Sequence, residues 1–220
     1  MIKLEIKKRI ITSLFLFFIL ILMYFYNFVL IISLLIITIC AWIEFNSLIA
    51  KIFKKKDSIN KTLKLACKAT SLIYLAFLTY FIIIIKSLNT DLNDALVYAL
   101  LISILTDIGG LVIGSTIKGN KLTKISPKKT ISGALGSFFF SITLVPFYLN
   151  IFIDYKIIVL VLITLAISLT SQIGDLFISF LKRKANVKDT SNLLPGHGGI
   201  LDRIDGMIFA IPISLILFSF

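Results

Sequence analysis

The chain has 220 residues, 58% of them hydrophobic and 19 of them Phe, and a formal net charge of +12. That composition excludes a soluble globular domain, where about half the residues are apolar, and describes an integral membrane protein. In such a protein Lys and Arg gather in cytoplasmic loops, so the charge reads as topology and not as nucleic-acid binding.

In chain order, Lys3, Lys7, Lys8 and Arg9 precede an apolar run with no small-residue cleavage site, which reads as an uncleaved first span. About seven transmembrane helices are expected, each near the ~20 residues a bilayer core requires. They cover Ile10–Tyr26, Phe28–Ala50, Ala69–Ile85, Ala95–Ile117, Ser132–Leu149, Ile157–Leu181 and Ile200–Phe220. Every Lys and Arg except Lys86 and Lys156 falls in alternate connections, which places the N-terminus in the cytoplasm. The fold class is therefore an all-α, polytopic membrane protein, one integral domain overall. Residues 1–94 supply three N-terminal spans and 95–220 a four-helix catalytic region.

Charged groups inside spans are costly and are functional candidates by default. Glu44 lies near the cytoplasmic end of the second span and reads as a side chain snorkelling to the surface. Asp107 shares a helix face with Gly110 and Gly114, which make room either for a packed helix or for a ligand beside the acid. Ser168, Ser171, Asp175, Ser179 and Lys182 form a polar stripe along the sixth span that faces protein or a wet cavity. Asp202 and Asp205 share a face at the start of the seventh, and a magnesium ion or Arg203 between them would relieve their repulsion. Ser126 followed by Pro127 reads as a helix cap, so the fifth helix is expected to open there beside Lys128 and Lys129 as an anion site. The seven lysines from Lys51 to Lys68, with no glycine and the single carboxylate Asp57 among them, read as a face for anionic membrane lipids. There is no phosphate-binding P-loop, and a lone histidine, His197, excludes a zinc pair.

The stretch from Ser179 to Asp205 interrupts this apolar sequence with Lys182, Arg183, Lys188, Asp189, Ser191, Leu194, Pro195, Gly196, His197, Gly198, Gly199, Asp202, Arg203 and Asp205. In that order it resembles the signature of phosphatidate cytidylyltransferases. Asp107-Ile108-Gly109-Gly110, Ile125 to Thr130, and Gln172 to Phe177 resemble the same family. Ser115, Ser132 and Ile178 depart from residues its members often carry there. The resemblance implies transfer of the cytidylyl group of CTP to phosphatidic acid, giving CDP-diacylglycerol and pyrophosphate. It assigns Mg²⁺ to Asp175, Asp202 and Asp205, with Lys188 and Asp189 also in the catalytic group. Substrate binding falls to Asp107, Ser126, Lys128, Lys129, Lys182, Arg183, Gly196, His197, Gly198, Gly199 and Arg203. A homodimer is implied as well, and a bacterial inner-membrane location with the site facing the cytoplasm is expected. A CTP-dependent lipid or polyprenol kinase and a cation-coupled transporter are the alternatives. The transporter would not need the Pro-Gly-His-Gly-Gly loop.

Overall fold

Because lipid offers no partners for backbone N–H and C=O groups, a chain this apolar must satisfy them within helices. The computed structural model describes residues 2–54, 58–88, 92–123, 125–127 and 129–219, the side chains of 2–9, 58 and 88 aside. Among these the order is α1 (Ile2–Phe25), α2 (Asn27–Ile52), α3 (Ser58–Leu88), α4 (Leu92–Thr116), α5 (Ile131–Ile142), α6 (Val145–Tyr148), α7 (Ile157–Lys184), α8 (Leu201–Ile204) and α9 (Met207–Leu217), with no strand. The protein is an all-α polytopic membrane protein. Five segments are long and apolar enough to cross a bilayer: Asn27–Ile52, Ile59–Ser87, Leu92–Thr116, Ile131–Tyr148 and Ile157–Lys184.

Beside these five, the first and last of the seven expected spans are represented among the described residues by shorter apolar stretches. The first apolar segment is Ile10–Phe25, and the last is broken at Asp205-Gly206. There the Asp205 side chain accepts the Gly206 N–H at 2.9 Å, competing locally with a continuous helix. What remains, α9, has 11 residues, about 16 Å of helix against a hydrocarbon core of about 30 Å. Pro146, lacking an N–H, accompanies a similar break between α5 and α6. The region from Lys51 to Lys68, expected as a loop, is mostly helical, since α3 already begins at Ser58.

The helices sort into two units that do not follow chain order. The first comprises residues 1–88 with 181–204, the second 89–180 with 205–220. In the first, α2 packs against α3, where the Thr38 and Thr79 hydroxyls bond and Trp42 Nε1 donates to the Lys68 carbonyl at 3.2 Å. In the second, α4 and α5 meet through facing glycines. A Cβ on Gly109 would lie 2.5 Å from the Gly136 carbonyl oxygen, and one on Gly133 would lie 2.8 Å from that of Gly110. With no hydrophobic drive between helices in lipid, such close approach and interhelical hydroxyl bonds supply the association. Thr106, Ser141 and Ser168 supply the bonds, mutually 2.8–3.0 Å apart and buried where α4, α5 and α7 meet. Ser214 Oγ ties α9 to the Ala95 carbonyl of α4 at 2.9 Å.

Candidate active site

In the first unit the site is a loop, and its shape begins with the way α7 stops. Asn186 adopts φ 55°, its N–H donates to Arg183 O at 3.1 Å, and Val187 N–H donates to Lys182 O at 3.0 Å. This is a Schellman cap, in which a left-handed residue satisfies the final carbonyls. Lys182, Arg183 and Lys184 occupy that last turn, where cations complement the helix dipole. Beyond it, His197 N–H closes on Leu194 O at 2.9 Å around Pro195 and Gly196, the latter at φ 78°. Pro followed by a left-handed Gly is the sequence of a type II turn. Gly198, at φ 81°, has no room for a side chain either, because a Cβ would stand 2.9 Å from Asp202 Oδ2.

Asp202 organises this loop. Lys182 Nζ stands 2.6 Å from Oδ1, and Oδ2 accepts from Thr190 N at 2.8 Å and Gly199 N at 3.0 Å, with Thr190 Oγ1 2.9 Å away. Burial pushes the carboxyl up, but Lys182 and the Thr190 and Gly199 amides outweigh it and hold Asp202 below the ordinary carboxylate range. Arg203 donates from Nε and Nη2 to the His197 carbonyl at 3.1 and 2.6 Å. The loop tip rests on α1, where Thr12 Oγ1 donates to Pro195 O at 3.1 Å and Ser13 Oγ lies 3.2 Å from His197 Nε2. Arg183, Lys188 and Asp189 are exposed.

Glu44 overturns its sequence reading. It does not snorkel: it is 3% exposed and accepts from Thr190 Oγ1 (2.8 Å), Ser191 Oγ (2.6 Å), Ile200 N (3.0 Å) and Leu201 N (2.9 Å). The available signal was depth. Residue 44 lies about 12 Å of helix before the end of α2 at Ile52, beyond the reach of a short carboxylate.

In the second unit, α4, α5, α7 and the 117–130 connection line a partly open cavity of about 500 Å³. Asp107, Gly110, Gly114, Ser126, Lys129, Thr130, Gln172 and Asp175 are in its wall. Lys129 and Asp175 form an ion pair across it, both about a quarter exposed, and Ser179 Oγ lies 3.4 Å from Asp175 Oδ1. The Gln172 amide nitrogen is buried without a hydrogen-bond partner among the described residues. The polar stripe of α7 thus divides: Ser168 serves the packing seam, Ser171 packs against Gly206, and Asp175 serves the cavity.

The α5 cap also differs from expectation. Ser126 is not the N-cap: Thr130 is, its Oγ1 accepting from Gly133 N at 3.0 Å. The chain before it turns back on itself, with Leu122 N–H to Lys129 O at 2.8 Å and Ile131 N–H to Asn120 O at 3.0 Å, so helix begins only after that closure. Lys128 lies outside the described residues.

Of the three carboxylates assigned to magnesium, Asp202 belongs to the first unit with its oxygens engaged, and Asp205 to the second, 7% exposed and bonded to Gly206 N–H. No group of three or more His, Cys, Asp or Glu side chains assembles among the described residues. The cavity wall nevertheless carries two hard oxygen donors, Asp107 and Asp175. Magnesium needs only one or two carboxylates when phosphates complete its shell, so this donor set fits it.

The site thus comprises an acid–base pair in a cavity between membrane-spanning helices, and a basic Gly-rich loop that follows the end of one of them. The chain belongs to the cytidylyltransferase family, whose pattern it matches over residues 1–220. It is 45% identical over 125 residues to the phosphatidate cytidylyltransferase of Staphylococcus aureus (strain COL), covering 56% of this chain and 48% of that protein. Those of Staphylococcus epidermidis and Staphylococcus saprophyticus are 44% and 42% identical with the same coverage. The chain spans about half the length of the curated relatives it matches.

Proposed function

We propose that this protein transfers the cytidylyl group of CTP to phosphatidic acid, forming CDP-diacylglycerol and pyrophosphate. The observation that carries the reading is the cavity of the second unit, where Lys129, Asp107 and Asp175 stand among membrane-spanning helices. The names of the staphylococcal relatives support it.

Both reactants are anions, so the chemistry asks chiefly for charge neutralisation and positioning. A phosphatidate oxygen attacks the α-phosphorus of CTP, the new P–O bond forms, and the bond to the β-phosphate bridge breaks to release pyrophosphate. Phosphatidate arrives as an anion, so no strong base is required. Lys129 exchanges its Asp175 partner for phosphate oxygen, and the Ser126 and Thr130 hydroxyls at the cavity wall donate to the same oxygens. Asp107 and Asp175 would hold a magnesium ion, which would supply further neutralisation. In the first unit, exposed Arg183 and Lys188 suit a polyphosphate chain. A site facing the cytoplasm of a bacterial inner membrane belongs to the same reading, supported by the distribution of Lys and Arg. A homodimer is part of it through the family resemblance alone.

The test is incubation of purified protein with labelled CTP, phosphatidic acid and Mg²⁺. Labelled CDP-diacylglycerol is the expected product, and its absence from folded protein refutes the proposal.

A further inference from the structure

The loop between α7 and α9 is held by a carboxylate from a distant part of the chain. Glu44 on α2 meets the loop at both shoulders: at Thr190 and Ser191 where it leaves, and at Ile200 and Leu201 where it returns. Each carboxylate oxygen takes one hydroxyl and one backbone N–H. An ionised carboxylate is the only side-chain group that presents acceptors alone on two oxygens, and the two backbone N–H groups cannot turn round. Contact is close enough to dictate the neighbouring residue, since a Cβ on Gly199 would collide with both the Glu44 carboxylate and Thr190 Oγ1. Thr190 then passes the constraint on. Its hydroxyl is also 2.9 Å from Asp202 Oδ2, and its N–H donates to that same oxygen.

We propose that Glu44 is a positioning residue, which sets segment 190–201 into one conformation before CTP arrives. This rests on the cytidylyltransferase reading above. Were the carboxylate absent, the loop would sample other conformations and only a fraction would bind nucleotide. A ligand that selects the ordered fraction binds more weakly by that fraction. Once saturated, the loop is reordered and turnover proceeds.

The experiment compares wild type with Glu44→Gln in the full chain in detergent, by steady-state kinetics in CTP and by amide hydrogen exchange. The amide end of Gln faces a backbone N–H, so one charge-assisted bond is lost. The KM for CTP should rise about 10- to 100-fold, the scale of such a bond, with kcat within about two-fold. The Ile200 and Leu201 amides should exchange faster while the central amides of α7 do not. A lesion that merely reduces the amount of folded protein would lower apparent kcat and leave KM unchanged. That result, or unchanged exchange at Ile200 and Leu201, overturns the proposal. Ser191→Ala removes one donor and leaves the buried charge its other three, so it carries the same test in a milder form should Glu44→Gln fail to fold. A smaller rise in KM supports the proposal, and no change in either KM or exchange overturns it. If wild type makes no CDP-diacylglycerol, the proposed activity falls, yet the exchange comparison still decides whether Glu44 orders the loop.

Discussion

Replacing Lys182 by Met removes one partner of a nearly buried ion pair, and the structure sets the size of the effect. The two side chains are 12% and 6% exposed, with Nζ 2.6 Å from Oδ1. At an effective dielectric of about 20, that separation corresponds to about 6 kcal/mol of gross attraction. Much of it is cancelled by the cost of taking both charges from water. Without Lys182, the Asp202 carboxylate keeps its bonds from Thr190 N and Gly199 N, so it is not fully orphaned. The expected loss is about 3 kcal/mol, the lower end of the range for breaking a buried pair. For a chain of this size, that is a fall in Tm of about 6–12 °C. Lys182→Met combined with Asp202→Asn should cost about 2 kcal/mol less than the two singles added, because the neutral amide no longer needs the cation. Thermal unfolding in detergent can be followed by the reactivity of the free thiols of Cys40 and Cys67. A Tm for Lys182→Met within 2 °C of wild type, or strict additivity in the double variant, would refute the assignment of this pair as the fastener of the loop.

Three more outcomes follow from the geometry. Asp175→Asn should lower CDP-diacylglycerol formation by at least about 100-fold while changing stability by under about 1 kcal/mol, since its ion pair with Lys129 is a quarter exposed. More than a tenth of wild-type activity would remove Asp175 from the proposed site. Gly136→Ala should destabilise by about 1–3 kcal/mol, because the added methyl would sit 2.6 Å from Ile113 Cγ1 and 2.9 Å from the Gly109 carbonyl oxygen. An unchanged melting curve would mean that α4 and α5 do not approach so closely. Because Asp202 is held below the ordinary carboxylate range, its stabilisation is complete above the unfolded value of about 3.9 and fades as pH falls through the lower folded value. Melts from pH 7 downward should therefore lose this contribution only below about pH 4, and Asp202→Asn should abolish that limb of the profile.

Composition and charge made the architecture legible in the sequence, and the helix interiors with it: α2, α4 and α7 lie close to their expected spans. Where expectation and structure part, a local rule met a tertiary one. Ser126-Pro127 is a sound helix opening taken alone, yet the closure of Lys129 and Ile131 onto Leu122 and Asn120 keeps that stretch out of helix until Thr130. The last span reads as continuous because Asp205 and Gly206 are brief interruptions in an apolar run. The break becomes visible only with Gly206 seated against Ser171 and the Asp205 carboxylate turned onto its own backbone. Glu44 was missed because its partners lie so far along the chain that no periodicity joins them. The carboxylates of the cavity were legible, since a charge within an apolar helix is conspicuous wherever its partner lies. The pairing of Asp175 with Lys129 was not.

The same separation bears on how the protein is made. Glu44 bonds to residues 146 and 157 positions later, so α2 emerges from synthesis with an acid whose partners do not yet exist. Domains ordinarily complete themselves in order from the N-terminus, but here the earliest unit cannot close until residues 190–201 have been added. Until then the carboxylate lacks all four of these partners. A chain halted before that segment would expose an unmatched acid within an otherwise finished helix pair. The late loop thus acts as the keystone of the early helices.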